Sequence, residues 1–243
     1  MKVALHVALG GQLAIQRQLA AVANNVANIT TPGFRAEGSR FAAVLSRQQP
    51  ASISYVNAGG SYIDTRPGAL KQTGNPLDVA VRGNVWMALR GPGDSIIYTR
   101  DGRFRMLPTG ALVSTTGLPV LDVGGAPITL KPKAGPPRIA RDGMISQNGQ
   151  QIGAIGLFRM PGQARLARYG NSGVVPDREP EPVVEFRDAG VMQGFIEESN
   201  VNGAMEMAHL VRLGSAMRQL SSSLQECERT ALEAIRTLGG VGT

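Results

Sequence analysis

The stretch ANNVANITTPGFR, Ala23–Arg35, reads as the last turns of a helix, followed at once by its stop. Thr31-Pro32-Gly33 ends it, because a residue before proline avoids helical angles and glycine permits the turn. Working back from there, Leu5, Ala8, Gln12, Ile15, Leu19, Val22, Val26 and Ile29 recur at alternating spacings of three and four. That is the narrow seam of a coiled-coil-like helix, with one polar break at Gln12. On a wheel of about 100° per residue, Val22, Val26 and Ile29 cluster. Asn24, Asn25 and Asn28 fall beside and opposite them, where amides can donate and accept toward another backbone. An unpaired buried amide costs about 1–3 kcal/mol, so amides beside a seam fix register where apolar contact alone is non-directional.

A second seam closes the chain. Leu210, Leu213, Met217, Leu220, Leu224, Cys227, Ala231, Ala234 and Leu238 show the same spacings. Ser199, Asn200 and Asn202, with Val201 among them, stand where this helix needs an N-cap, and Glu206 suits its first turn. Small residues (Ala20, Ala21, Ala23, Ala27) also crowd the off-seam positions of the first helix. A helix apolar on most sides must be buried on most sides. One partner helix cannot achieve that, whereas an assembly can.

The middle of the chain has a different texture. LDVAVRG, NVWMALRG, SIIYTRDG, RFRMLPTG, ALVSTTG and LPVLDVGG are short β-prone pieces punctuated by glycine. Strands at intervals of about 8–12 residues predict an all-β domain from about Leu77 to Phe158. Asp101-Gly102 and Asn148-Gly149 are each expected to form a tight hairpin turn. KPKAGPP (Lys131–Pro137) and NSGVVPDREPEPVV (Asn171–Val184) read as extended surface segments. The predicted class is α+β, with terminal helices pairing as a coiled-coil-like domain around a central β domain.

The 243-residue chain carries a net charge of +7, with 42% hydrophobic and 5% aromatic residues. Residues 1–150 hold 16 Lys/Arg against 7 Asp/Glu, and residues 151–243 hold 9 against 11, so the halves differ in sign. The basic residues stand singly and aromatics are few, which argues against nucleic-acid binding. His6 and His209 lack companions at metal-ligand spacing, and Cys227 lies about 27 Å of helix away from His209. Neither a metal site nor a cofactor is expected. RGPGDS lacks the glycines and following helix of a phosphate loop, and Glu197-Glu198 are read as preceding a helix cap. With no nucleophile–base or acid–base group, no enzymatic activity is expected. No run of about 18 apolar residues occurs, so no membrane insertion is expected either. The start has no clear cleavage site for a secretory signal.

Four motifs then stand in order. ANNVANITTPGF (23–34), GALKQTGNPLDVAVRG (68–83), YTRDGRFRMLPTGALVSTTGLPVL (98–121) and QGFIEESNVNGAMEMAHLV (193–211) resemble the axial-protein family of the bacterial flagellum. Length and a single β insertion are similar to the rod proteins rather than the larger hook protein. DGMISQNGQQIGAIGLFRM and the short segment between Phe34 and Leu77 look most like a proximal rod protein, with the distal rod protein as alternative. The chain departs from the family's usual aromatic pair at Trp86-Met87. It also has Gly203 where an apolar residue is usual, which loosens a helix by about 1 kcal/mol.

The resemblance implies residues 1–34 with 200–243 as an inner helical domain lining an export channel. It further implies 35–76 with 177–199 as a connecting region, and 77–176 as an outer β domain. Partners would be copies of the chain, proximal and distal rod proteins, and the flagellar type III export apparatus. The location would be the periplasm-spanning rod of the basal body, reached without a cleaved signal. FAAVL resembles the element that export substrates present, through Phe41 and Leu45.

Overall fold

A computed structural model describes the backbone of residues 2–46 and 53–239, and side chains at 9–39, 60–226 and several positions beyond. The chain divides into two compact units, residues 1–26, 37–62 and 202–243, and residues 27–36 and 63–201.

The first unit holds helix α1 (Lys2–Ala27), helix α2 (Gly203–Gly239) and a two-stranded sheet of Glu37–Ser46 and Ile53–Ile63. Val22 and Ala14 are buried on α1, and Ile15, Leu19 and Val26 are half-buried. On α2, Leu213, Met217, Leu220 and Leu224 are half-buried and Leu210 is exposed. A Cβ added to Gly11 would lie 3.8 Å from the Leu220 side chain, an ordinary packing distance, so α1 and α2 run beside each other here. The side chains of Leu5, Cys227 and Leu238 lie outside the described residues. Asn202 proves to be the cap of α2, its Oδ1 accepting from the Met205 amide at 3.2 Å. FAAVL falls on the strand Glu37–Ser46, where residues four apart share a face; the side chains of Phe41 and Leu45 lie outside the described residues.

The second unit is antiparallel throughout its described strand pairs. Its largest sheet runs in the order Leu166–Tyr169, Gly173–Pro176, Ile96–Thr99, Trp86–Arg90, Leu157–Arg159, Glu181–Pro182. The strand Trp86–Arg90 is buried on both faces. Met87 and Leu89 enter the main core with Val79, Ile97, Leu112, Ile145 and Leu157. Trp86 and Ala88 enter a second cluster with Tyr98, Leu121 and Val174. A strand buried on both sides reads as a continuous apolar run, which is why NVWMAL does not alternate.

The two hairpin expectations part ways. Asn148-Gly149 forms a tight turn, with φ of 50° and 75° and Gln147 paired to Gln150 across it. Asp101-Gly102 does not. The strand Ile96–Thr99 pairs with Trp86–Arg90 and Gly173–Pro176, while Phe104–Met106 pairs with Leu112–Ser114. Here glycine serves close approach, because a Cβ on Gly102 would stand 1.7 Å from the Val79 carbonyl oxygen. Asp101 turns its carboxylate to Arg103 at 2.7 Å, and Arg100 leaves the sheet for the interior.

The two glycines therefore predict different costs. Gly102→Ala meets backbone that cannot yield and should lose about 3 kcal/mol or more, whereas Gly149→Ala meets open space and costs about 1–2 kcal/mol of left-handed strain. Urea unfolding of both variants checks this; equal midpoints would contradict it.

Candidate functional site

The quoted stretch ends where the structure is most tightly tied. After α1, the Thr31 amide donates to the Asn28 carbonyl at 3.2 Å, and the Thr31 hydroxyl donates to Asn28 Oδ1 at 3.0 Å. Gly33 follows with φ 69°, and a Cβ there would lie 2.2 Å from the Asp101 nitrogen. No other residue meets both conditions without strain. Its amide donates to the Glu197 carbonyl at 2.7 Å, bringing the segment that leaves α1 beside the segment that leads to α2.

Behind Gly33 lies a clasp of buried charge. Glu197 Oε1 accepts from Arg35 Nη2 at 2.6 Å and from the Gly68 amide at 2.8 Å. Its Oε2 accepts from Arg100 Nε at 2.6 Å. Arg100 also donates through Nη1 to the carbonyls of Gly83 (2.9 Å) and Val85 (2.7 Å). The three side chains are 0–2% exposed. Trp86 lies against both cations, with ring-centre distances of 6.0 Å to Arg35 and 5.8 Å to Arg100. The Nε and Nη1 of Arg35 have no hydrogen-bonding oxygen, so the indole face is what stabilises that part of the guanidinium. Burial, then the Arg35 charge, push the Arg100 guanidinium below its ordinary pKa, against the pull of Glu197.

A second set of bonds closes over the first. Asn200 Oδ1 accepts from the Ala36 amide at 2.7 Å, and its Nδ2 donates to the carbonyls of Asp64 (3.0 Å) and Arg66 (2.9 Å). Arg168 stacks over Phe34 at 4.3 Å and donates to the Arg35 carbonyl at 2.6 Å. Asp64 pairs with Arg66 at 2.6 Å. Burial works to raise the Asp64 carboxyl, but Arg66's hydrogen bonds and charge, with Arg35's charge, hold it below its ordinary value.

This arrangement revises the sequence reading of several residues. Asn25 is 1% exposed, and its amide is used within its own chain. It donates to the Glu37 carbonyl at 2.9 Å and accepts from the Glu37 amide at 2.8 Å. Asn25 therefore donates and accepts toward another backbone as expected, and that backbone is the Glu37 segment of its own chain. Asn28 is buried on Thr31, whereas Asn24 is half-buried. Val22 is buried and Ile29 half-buried. Asn200 ties distant segments of its own chain rather than capping a helix, and Ser199 caps a local turn by accepting from the Val201 amide at 3.3 Å. Glu197 was read as a residue before a cap and proves to be the centre of the clasp. Its signal was an acid in the alternating piece F-I-E, and Arg100 gave the same signal in I-I-Y-T-R.

Nothing here is built for turnover. Among the described residues no three of His, Cys, Asp and Glu gather to hold a metal, and no helix is long and apolar enough to cross a membrane. The clasp instead fixes backbone to backbone.

Comparison with known proteins agrees with such a role. Residues 5–35 match the family of flagella basal body rod proteins, and residues 80–147 match the flagellar hook protein FlgE/F/G D1 domain. The chain is 44% identical to the flagellar basal-body rod protein FlgF of Mesorhizobium japonicum, over 98% of this chain and 99% of the relative. It is 33% identical to FlgF of Caulobacter vibrioides, over 98% of both. It is also 28% identical to the flagellar basal-body rod protein FlgG of Agrobacterium fabrum, over 93% of this chain and 96% of the relative.

Two expectations follow from the clasp. Glu197→Ala strands two buried cations and should cost about 3–5 kcal/mol, more than the roughly 1–3 kcal/mol for Asn200→Ala. Denaturant titration measures both, and an unchanged midpoint for Glu197→Ala would remove the clasp from the account. Because the folded pKa of Asp64 lies below its unfolded value, its ion pair adds stability at neutral pH. That contribution disappears as pH falls through the lowered pKa. The stability gap between wild type and Asp64→Asn should therefore close in acid, and a gap constant from pH 7 to about 2 would contradict this.

Proposed function

The chain belongs to the FlgF family of flagellar basal-body rod proteins and is a structural subunit of the rod, not an enzyme, and from that premise we propose how its parts divide the work. The terminal helices α1 and α2 pair as an inner domain beside the export channel of the proximal rod. They assemble helically with copies of the chain and with other proximal and distal rod proteins. Repeated head-to-tail contacts that do not close in a ring generate such a filament. The seam residues Leu5, Ile15, Leu19, Val22 and Val26 on the first helix with Ile29 just past its end, and Leu210, Leu213, Met217, Leu220, Leu224 and Leu238 on the second, supply the apolar packing. Asn24 and Asn28 supply polar definition beside it, and Asn25 acts at one remove by holding Glu37.

The clasp is the observation that carries this reading. A subunit that transmits torque needs the segments entering and leaving its terminal helices held rigidly together. Gly33 and Asn200 hold them with neutral amide bonds, and Arg35 and Arg100 with buried, charge-assisted bonds to Glu197. Such bonds are short and roughly twice as strong as neutral ones. The chain would travel unfolded through the flagellar type III export apparatus, without a cleaved signal, presenting Phe41 and Leu45 to it. In the basal body the β body then faces outward from the channel.

Long narrow helices are marginal alone in water, so the isolated subunit should lose both ends early in limited proteolysis while residues 63–201 persist. Termini as resistant as the β body would count against assembly-dependent burial. Asn25→Ala with Asn28→Ala should leave the β body folded by circular dichroism yet sharply reduce rod incorporation and swimming. Wild-type swimming by that double variant would overturn the role given to these amides.

A further inference from the structure

The segment that carries Glu197 does more than hold two arginines. Residues 188–200 run through the β body as one strap, in two antiparallel pairings. Gly190–Gln193 pairs with Val79–Arg82, and Phe195–Glu197 pairs with Leu70–Gln72. Among the described residues, each of those two partners pairs with no other strand. Gly194 makes the step from one pairing to the next. Its φ is 77°, a left-handed angle that suits glycine. Its amide donates to the Asp78 carbonyl at 2.8 Å, and its carbonyl accepts from the Thr73 and Gly74 amides at 2.8 and 3.1 Å.

Gln193 adds a tie of its own. Its Nε2 donates to the carbonyls of Pro76 (2.8 Å) and Pro137 (2.7 Å), and its Oε1 accepts from the Ile139 amide at 3.1 Å. The Val191 amide donates to the Arg141 carbonyl at 2.8 Å, and the side chains of Ala189 and Val191 fill the main core. Every one of these partners precedes the strap in the chain. The side-chain ties, those of Glu197 and Asn200 included, span 54 to 164 residues. Buried charge sharpens the dependence. Arg35 and Arg100 cannot leave water until Glu197 comes with them, because a desolvated cation needs its counter-charge. Trp86, which lies against both, waits on the same event.

We propose that residues 188–200 are a closing latch: the β body has no stable partly folded form without them, and the docking of this strap sets its folding rate. Pairing between distant segments loses loop entropy before its contacts form, so docking is slow and the chain ahead of it stays open. Local hairpins such as Met144–Gln147 with Gln150–Ala154 form and dissolve meanwhile, since an isolated two-stranded hairpin is marginal in water. A chain delivered with its N-terminus first is thereby held open until Asn200 has emerged. That suits the passage through an export channel given above, and the use of the latch there rests on that reading.

The test takes the full-length chain with a protease site inserted between Val184, 83% exposed, and Glu185, also exposed. The folded chain is cut, and the two pieces are separated in urea. Diluted alone, the piece that ends at the cut should recover neither the native emission of Trp86, the one tryptophan, nor amide protection at Leu121 and Ile128. Diluted with the second piece, it should recover both, at a rate that rises with the second piece's concentration. Glu197→Ala in that second piece should slow recovery about tenfold or more. In the uncut chain, Val191→Ala should slow refolding, whereas Ile128→Val should chiefly speed unfolding. If the pieces do not rejoin, this uncut pair decides alone. Three results would overturn the latch: recovery by the first piece unaided, recovery at a rate independent of the second piece, or Val191→Ala that speeds unfolding and leaves refolding unchanged. These readouts need no flagellum, so their failure removes the latch and leaves the rod-subunit reading untouched, whereas a chain missing from purified basal bodies would do the reverse.

Discussion

Glu197 lies between two arginines in a place that water does not reach, and the β body and both segments leading to the helices meet around it. Desolvating charge is expensive, so such a group is held only where geometry supplies every partner. Here the carboxylate accepts three bonds, and Arg100 is met by backbone carbonyls as well as by Glu197. The indole of Trp86 lies against both guanidinium groups. Trp86-Met87 departs from the aromatic pair usual in the flagellar axial proteins, and the single large ring is the one these arginines use.

The clasp joins the segment that follows α1 to the segment that precedes α2. Residues 33–36 and 195–200 come together through Gly33, Arg35, Glu197 and Asn200, at sequence separations of 162 and 164 for the Arg35 and Asn200 bonds. Hydrophobic packing alone would leave those segments free to slide, because it has no direction. Amide and charge pairs remove that freedom. The same logic recurs on a smaller scale at Asn25, which takes both polar groups of Glu37 and so ties the first strand to α1.

What could be read in the sequence was what local rules decide. The two terminal helices, the Asn148-Gly149 turn and the Asn202 cap each depend on a few neighbouring residues, whereas the first helix ends at Ala27, short of Ile29 and of the stop expected at Thr31-Pro32-Gly33. The paired strands Glu37–Ser46 and Ile53–Ile63 were harder, because a spacing of four places Phe41 and Leu45 on one face of a helix and equally on one face of a strand. Asp101-Gly102 misled because its dipeptide also suits close approach, and only the position of the Val79 carbonyl distinguishes the two. The acid at the end of F-I-E marked Glu197 as a residue to explain but not what it binds, since its partners lie 97 and 162 residues away. Asn25 was recognised as special for the right reason, an amide that must be satisfied, but its partner was twelve residues along the same chain.

Native-state hydrogen exchange across the clasp tests most directly whether it makes the segment after α1, the segment before α2 and the β body one cooperative piece. The informative amides are Gly33, bonded to the Glu197 carbonyl, Gly68, bonded to its carboxylate, and Ala36, bonded to Asn200, read against the core amide of Leu121 bonded to Ala88. If the clasp governs stability, all four exchange only through global opening, with one free energy and one denaturant dependence. Exchange of Gly33, Gly68 and Ala36 at distinctly lower free energy, while Leu121 stays protected, would mean that the clasped segments come loose from an intact body.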